Sequence, residues 1–282
     1  MTSRTPHAAL TFADFLKTPP GHLLARWTLQ RFDLAVDRVF GAEALQIGAP
    51  QLDTLRANRM QGHALLVSGD EAAFLLDGTL PPFTNRCFVG EPECLPIASG
   101  SIDLVTMPYA LDFSASPQQV LREAARVLAP EGRLILSAFN PAGLWWMRQR
   151  ATLACGGRPY LPTKMLPIPL PRLRDWFALL GLEIDRGAFG IYVPGFRHAG
   201  PLQRWSWMDK AGDRWAPHCS NLMLLEAVKR EPGVTPIGKA SRLTPRAPQG
   251  KMPVPTAGMN ASRREGAESA PELPQLTTKE PI

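Results

Sequence analysis

A strand–helix–strand unit over residues 102–139 constrains the fold of this chain more than any other part of the sequence. Residues 102–107 and 133–139 are predominantly apolar runs, and the segment between them has helical periodicity. Short apolar runs of this kind are typical of strands that are buried on both faces of a parallel sheet. Because the connections are short, we expect the two strands to pair in parallel through a right-handed crossover.

The helix of this unit has clear start and stop signals. Ser116 is a capping residue type, Pro117 follows at the first helical position, and Gln119 stands three residues after the cap. Residues 130–132, Pro-Glu-Gly, end the helix. Its predicted apolar face consists of Val120, Ala124, Val127 and Leu128.

The rest of the chain up to residue 231 contains further strand and helix patterns. Strands are predicted at residues 44–48, 63–68, 87–89, 182–192 and 219–229, and helices at residues 22–40 and 172–180. Gly41 is the expected end of the first helix, and Asn140 is the expected cap of another helix that begins at Asn140-Pro141. Strands that alternate with helices predict a mostly parallel sheet, which binds its ligand beyond the carboxyl ends of the strands.

Residues 232–282 differ in composition from the rest of the chain. They contain no aromatic residue but nine prolines, seven Lys/Arg and four Glu, which gives this segment a charge of 7 − 4 = +3, half of the chain's formal +6. Such a segment cannot bury enough apolar surface to offset its chain entropy, so we predict a disordered, basic, proline-rich tail. Because the tail carries half of the net positive charge, the rest of the chain is only mildly basic, and nucleic acid is disfavoured as a partner.

Several protein classes do not fit the sequence. No apolar run approaches the roughly 18 residues that a membrane-spanning helix needs, and residues 1–16 lack the layout of a secretory signal. The four cysteines are scattered without a C-x-x-C pair, which argues against a zinc site or a disulfide framework. We therefore expect a cytoplasmic protein with reduced thiols and no metal.

Three segments of the chain fit one family pattern in register. They are residues 91–96 (Glu-Pro-Glu-Cys-Leu-Pro), 100–105 (Gly-Ser-Ile-Asp-Leu-Val) and 121–132 (Leu-Arg-Glu-Ala-Ala-Arg-Val-Leu-Ala-Pro-Glu-Gly). Together they resemble the class I S-adenosylmethionine-dependent methyltransferases of the type 11 kind, particularly the branch that includes the ubiquinone and menaquinone C-methyltransferases. The layout also resembles a bacterial group of uncharacterised methyltransferase-like proteins, which share a long N-terminal helix, Phe-Asn-Pro at residues 139–141 and a basic tail.

This resemblance implies a fold and a domain organisation. The fold is a Rossmann-like α/β domain with a seven-stranded, mostly parallel sheet and one antiparallel edge strand. Residues 41–231 would form the methyltransferase-like domain, residues 1–40 a helical segment packed on it, and residues 232–282 the disordered tail. The oligomeric state is left open.

The glycine loop after the first strand departs from the family pattern. The family has an acidic residue followed by G-x-G-x-G, whereas this chain has Gln46 in place of the acid and keeps only the first glycine, Gly48. Pro50 and Leu52 occupy the positions of the other two glycines, so a backbone donor is lost and bulk is added where bare backbone is expected. The helix expected next is also weakly patterned.

The resemblance implies S-adenosylmethionine as the cofactor and assigns residues to it. Gly48 would contact the methionine part, and Ser68 or Asp70 would accept from the ribose hydroxyls at the end of the second strand. Glu91 would accept from the adenine amino group, and Pro92 would offer an apolar edge to the ring.

The end of the fourth strand supplies the remaining candidates, Met107 and Tyr109. The family often has His where Tyr109 stands, facing the sulfonium and the acceptor. A phenol with an ordinary pKa near 10 abstracts protons poorly, so Tyr109 is a weak catalytic candidate, and a packed rim aromatic is the alternative. Tryptophans could line an acceptor pocket, or they could serve core packing. They are Trp145, Trp146, Trp205, Trp207 and Trp215.

We therefore predict methyl transfer from S-adenosylmethionine to a small or medium organic acceptor, by a chain with a degenerate glycine loop. The alternative is a catalytically inactive protein of the same fold that binds a ligand or a partner.

Overall fold

The computed structural model describes residues 10–71, 86–205, 207–208 and 219–230. The predicted tail, residues 232–282, and Trp215 lie outside these residues. No helix in the described ranges is both long and apolar enough to cross a bilayer.

Seven strands in the described residues form one sheet with the order β3-β2-β1-β4-β5-β7-β6. β1 to β5 pair in parallel, and β7 runs antiparallel to both β5 and the edge strand β6. The predicted mostly parallel sheet, with antiparallel pairing at one edge, is confirmed. The strands are β1 (Glu43–Ile47), β2 (Gly62–Val67), β3 (Arg86–Val89), β4 (Ile102–Pro108), β5 (Leu128–Phe139), β6 (Leu182–Gly190) and β7 (Leu222–Lys229).

Helices occupy most of the connections that the structure describes. The helices are α1 (Phe12–Leu16), α2 (Pro19–Val36), α3 (Ala110–Phe113), α4 (Pro117–Val127), α5 (Leu144–Ala154), α6 (Leu170–Leu179) and α7 (Ala199–Arg204), with a 3-10 turn at Gly69–Glu71. The apolar face of α4 is buried as predicted, because Val120, Ala124 and Val127 are fully inaccessible.

The first long helix, α2, begins and ends earlier than predicted. Thr18 caps it by accepting a hydrogen bond from the Gly21 amide, and prolines fill the first turn. Gly41 is not its end. A Cβ at Gly41 would lie 2.4 Å from Cβ of Asp103. That close approach lets the Asp103 carboxylate accept from the amide of Ala42.

Asn140 does not cap a helix, contrary to the prediction. α5 begins four residues later, at Leu144, after Gly143. The Asn140 side chain instead accepts from the Ala142 amide and donates to the Ser220 carbonyl oxygen, which joins the end of β5 to the segment before β7. Asparagine closes such local turns readily, so a cap and a turn share one sequence signal.

The buried Asn221 side chain joins three elements next to this turn. Its Nδ2 donates to the carbonyl oxygens of Ile191 (2.6 Å) and Val193 (3.0 Å), and its Oδ1 accepts from the Trp145 amide (2.7 Å). Ile191 has a left-handed backbone with φ of 57°, which is rare for a β-branched residue. Asn221 therefore holds a strained turn after β6 against the start of α5.

We expect Asn221→Ala to lower the free energy of unfolding by about 3 kcal/mol, because the Trp145 amide loses its acceptor and the carbonyl oxygens of Ile191 and Val193 each lose one of two donors. Urea unfolding measures this change. The matched control is Gln118→Ala on the exposed side of α4, which should alter stability by less than about 0.5 kcal/mol. Equal effects of the two substitutions would show that the Asn221 bonds are not stabilising.

Candidate functional site

The carboxyl ends of β1 and β4 meet directly. Gly48, which follows β1, has a left-handed backbone with φ of 75°, a conformation that glycine adopts without strain. A Cβ at this position would lie 3.5 Å from Cβ of Ala110, the first residue of α3. The crevice between these two strand ends, where parallel sheets of this kind bind ligands, is therefore narrow at Gly48.

A buried amide, that of Gln46, holds the loop after β1. Its Nε2 donates to the carbonyl oxygens of Gly48 (3.1 Å), Ala49 (3.2 Å) and Leu52 (2.8 Å). Its Oε1 accepts from the amide (3.0 Å) and the hydroxyl (2.7 Å) of Thr54. A carboxylate can only accept, so the acid of the family pattern could not hold this loop in the same way.

The loop from residue 48 to residue 61 forms turns and contains no helix. The carbonyls of Gly48, Ala49 and Leu52 bond to Gln46, so they do not start a regular i to i+4 ladder. The large apolar residues Leu52, Leu55 and Met60 are instead buried in the body of the domain. The weakly patterned helix of the sequence is therefore absent.

The ends of β2 and β3 carry accessible polar groups. Ser68 is half-buried, and its hydroxyl donates to Oε2 of Glu71 (3.3 Å) across the 3-10 turn that also contains Asp70. Glu91 follows β3 and is exposed, and Pro92 beside it is half-buried. Sequence reasoning missed Glu71, whose only signal is its i+3 spacing from Ser68.

Met107 and Tyr109, the candidates at the end of β4, are both buried. Met107 lies in the hydrophobic core between the sheet and α4. The Tyr109 ring packs against Phe12 and Phe139, with ring centroids 5.6 and 4.9 Å away, and its hydroxyl lies 2.5 Å from Thr28 Oγ1. Burial raises the pKa of Tyr109 well above its ordinary value. The phenol is thus a poor base, and the structure places it inside the domain and not at a rim.

An apolar cluster covers the ends of β4 and β5. It brings Phe15 of α1 and Leu24 of α2 together with Leu52 of the loop after β1. Its other large members are Tyr109, Phe139, Trp145, Tyr160 and Leu161. Trp145 is therefore a core residue, whereas Trp205 and Trp207 are 40% and 61% exposed, so core packing is wrong for those two.

Asp112 is a second carboxyl that sequence reasoning missed. It is fully buried in α3, and its Oδ2 accepts from the Phe139 amide (3.0 Å), while Oδ1 has no hydrogen-bond partner in the described part of the chain. Burial raises the pKa of this carboxyl well above its ordinary value. Burial therefore favours the neutral acid over the carboxylate at this position.

We expect Gln46→Glu to lower the free energy of unfolding by about 3 kcal/mol, because a carboxylate would face three carbonyl oxygens and lose their donor. Urea unfolding at neutral pH gives the value, with the exposed Gln118→Glu as the matched control. A Gln46→Glu variant as stable as the wild type would show that the amide does not hold the loop.

We expect Asp112→Asn to stabilise the protein at neutral pH by about 2 kcal/mol. The raised pKa of the folded state favours the protonated acid, so its stability is complete below the unfolded pKa of about 4 and is lost as the pH rises toward the folded pKa. The advantage of asparagine should therefore grow between pH 4 and 7 in urea unfolding. The control is Asp175→Asn at an exposed position of α6. If the free energies of unfolding of the wild type and Asp112→Asn changed in parallel with pH, the raised pKa of Asp112 would be refuted.

Residues 75–136 match the family described as "Methyltransferase domain". The chain is 32% identical over 112 residues to the uncharacterised protein YafS of Escherichia coli K12, a match that covers 40% of this chain and 45% of YafS. It is 40% identical over 58 residues to malonyl-[acyl-carrier protein] O-methyltransferase 1 of Coxiella burnetii, which covers 21% of each chain. These matches thus span less than half the length of either relative.

The fold agrees with that of the methyltransferase partner in a complex with the Trm112 methyltransferase activator of Haloferax volcanii. The TM-score is 0.52 at 17% identity, and the alignment covers 78% of this chain and 95% of that chain. Identity this low shows the fold alone, but the fold and the domain match agree with the sequence resemblance. The chain therefore has the Rossmann-like α/β fold of that methyltransferase, and its residues 75–136 match a methyltransferase family.

Proposed function

We propose that this chain is a cytoplasmic S-adenosylmethionine-dependent methyltransferase that acts on a small or medium organic acceptor. One observation carries the proposal: Gly48, Ser68 and Glu91 follow three adjacent parallel strands at the same edge of the sheet. The strand register supports this, because Ile47 pairs with Leu66 and Val67 pairs with Val89. Neighbouring strands are about 4.8 Å apart, so the three residues span a length that suits a nucleoside.

The accessible residues fit the nucleoside end of the cofactor. Glu91 would accept from an adenine amino group, with Pro92 against the ring, and Ser68 or Glu71 would accept from a ribose hydroxyl. These groups are exposed or half-buried, so a ligand can reach them. Asp70 lies in the same turn and remains a further candidate for the ribose.

The methionine end fits less well. Pro50 has no amide hydrogen, Leu52 is 1% exposed, and the carbonyls of Gly48 and Ala49 already bond to Gln46. We infer that the chain holds the cofactor mainly through its nucleoside, because the crevice for the methionine chain is narrow at Gly48.

Methyl transfer from a sulfonium requires little acid–base catalysis by the protein. A bound sulfonium supplies an activated methyl group, so the residues of the chain need only orient the acceptor and exclude water. The buried hydroxyl of Tyr109 bonds to Thr28 and does not serve as a base. The Coxiella burnetii relative is named a malonyl-[acyl-carrier protein] O-methyltransferase, and this supports an oxygen nucleophile on an organic acceptor as one option for this chain.

A second candidate is a ligand-binding protein that does not catalyse. It is favoured by the apolar cluster, because Leu52 and Tyr109 pack together with Phe15 and Leu24 over the strand ends where an acceptor would approach. In that case nucleoside binding persists, but no methyl group is transferred.

We expect calorimetric titration to show binding of S-adenosylmethionine and S-adenosylhomocysteine, with Glu91→Ala weakening both by about tenfold because one hydrogen bond to a charged group is lost. Asp175→Ala on the exposed side of α6 is the control and should bind like the wild type.

The absence of heat at millimolar ligand would contradict the proposal. Binding that depends on Glu91, without transfer of labelled methyl to carboxylic acids, thiols or quinols, would favour the second candidate.

A further inference from the structure

A separate cavity of about 450 Å³ lies beside the start of α2. None of the residues assigned to the cofactor lines it. Its described lining combines Leu10, Tyr160 and three prolines with Thr18, Arg158 and Arg197. Its volume lies within the range of about 300–1,000 Å³ that is usual for small-molecule sites.

Two guanidinium groups, and no carboxylate, are present among the described residues that line this cavity. Arg197 is anchored, because its Nη2 donates to the carbonyl oxygens of Arg158 (2.9 Å) and Pro159 (3.0 Å). The Arg158 side chain is exposed and forms no hydrogen bond or ion pair with any residue that the structure describes. Residues 141–174 contain six Lys/Arg and no Asp or Glu, so the surrounding chain does not neutralise the charge.

The start of α2 does not supply the anion donors here. Pro19 and Pro20 have no amide hydrogen, and the Gly21 amide donates to Thr18 Oγ1 (3.2 Å). The charge of the cavity therefore comes from its two arginines.

Tyr160 supports the cavity from behind. It is 2% exposed, and its ring contacts the edge of Trp145, with the ring centroids 6.0 Å apart. The Arg148 guanidinium lies 5.0 Å from the Tyr160 centroid and donates to the Gly195 carbonyl oxygen, and that of Arg197 lies 5.9 Å from the same ring. The half-buried side chains of Leu10, Pro19 and Pro159 suit an apolar body, while the arginines suit an anionic group.

We propose that this cavity binds an amphiphilic anion, with a phosphate or carboxylate on Arg158 and Arg197 and an apolar body against Leu10, Pro19 and Pro159. As a ligand site it is independent of methyl transfer. Its identification with the anionic end of the methyl acceptor rests on the proposed function.

Calorimetric titration of the full chain, without S-adenosylmethionine, tests the site with four probes: hexyl phosphate, hexanoate, inorganic phosphate and hexanol. We expect saturable binding of hexyl phosphate and hexanoate, weaker binding of inorganic phosphate, and none of hexanol. Arg158→Gln should weaken hexyl phosphate about tenfold, and Arg158→Glu should abolish its binding. Since Arg158 has no described partner, both variants should keep the wild-type urea midpoint.

Arg174→Gln removes the same charge from the exposed side of α6, outside the cavity lining, and should leave hexyl phosphate binding unchanged. Equal losses of hexyl phosphate affinity in Arg158→Gln and Arg174→Gln would overturn the proposal. Binding of hexyl phosphate that does not saturate would also overturn it. The proposal would also be overturned if the protein sedimented with phosphatidic acid vesicles but gave no heat of binding with soluble hexyl phosphate. The arginines would then bind a membrane surface and not a soluble ligand. Loss of S-adenosylmethionine binding alone would leave the site intact and contradict only the proposed function.

Discussion

The hydrogen bonds of one buried amide, Gln46, determine how the functional edge of this domain is built. The side chain both donates and accepts, so it gathers three carbonyl oxygens of the loop on one side and Thr54 on the other. Thr54 in turn lies 2.9 Å from the Thr106 hydroxyl in β4. The loop after β1 is thereby tied to the neighbouring strand and stays compact without a helix.

The two parts of the proposed cofactor site differ in access. The ends of β2 and β3, proposed for the nucleoside, keep accessible oxygen acceptors in Ser68, Glu71 and Glu91. The end of β1, proposed for the methionine part, is narrow because Leu52 joins the apolar cluster and Gly48 lies close to Ala110. A fold can change its chemistry through such local replacements while its sheet stays the same.

The sheet was predictable because its signals are local and repeated. The apolar runs of β4 and β5 and the proline at the start of α4 indicate one α/β unit, and further short strand patterns indicate the other five strands. The loss of the glycine pattern was also visible in the sequence. The role of Gln46 was not, because its five hydrogen bonds exist only in one loop conformation that no periodicity encodes.

Other differences have similar physical causes. Asn140 satisfies a turn as well as it would a helix cap, so the residue type alone does not decide where α5 begins. The burial of Tyr109 depends on helices α1 and α2, which are distant in sequence and contribute Phe15 and Leu24 to the same apolar cluster. Long-range packing of this kind raises the pKa of the Tyr109 hydroxyl, and the sequence near it gives no sign of this packing.

The central claim is that Gln46 closes the methionine side and leaves recognition to the nucleoside. The affinity of S-adenosylhomocysteine relative to 5′-methylthioadenosine, which lacks the amino acid, tests it most directly. We expect S-adenosylhomocysteine to bind at most about tenfold more tightly than 5′-methylthioadenosine, because its amino acid part should add less than about 1.4 kcal/mol to the binding free energy. A preference of about a thousandfold for S-adenosylhomocysteine would contradict it, because the loop after β1 would then bind the methionine end fully.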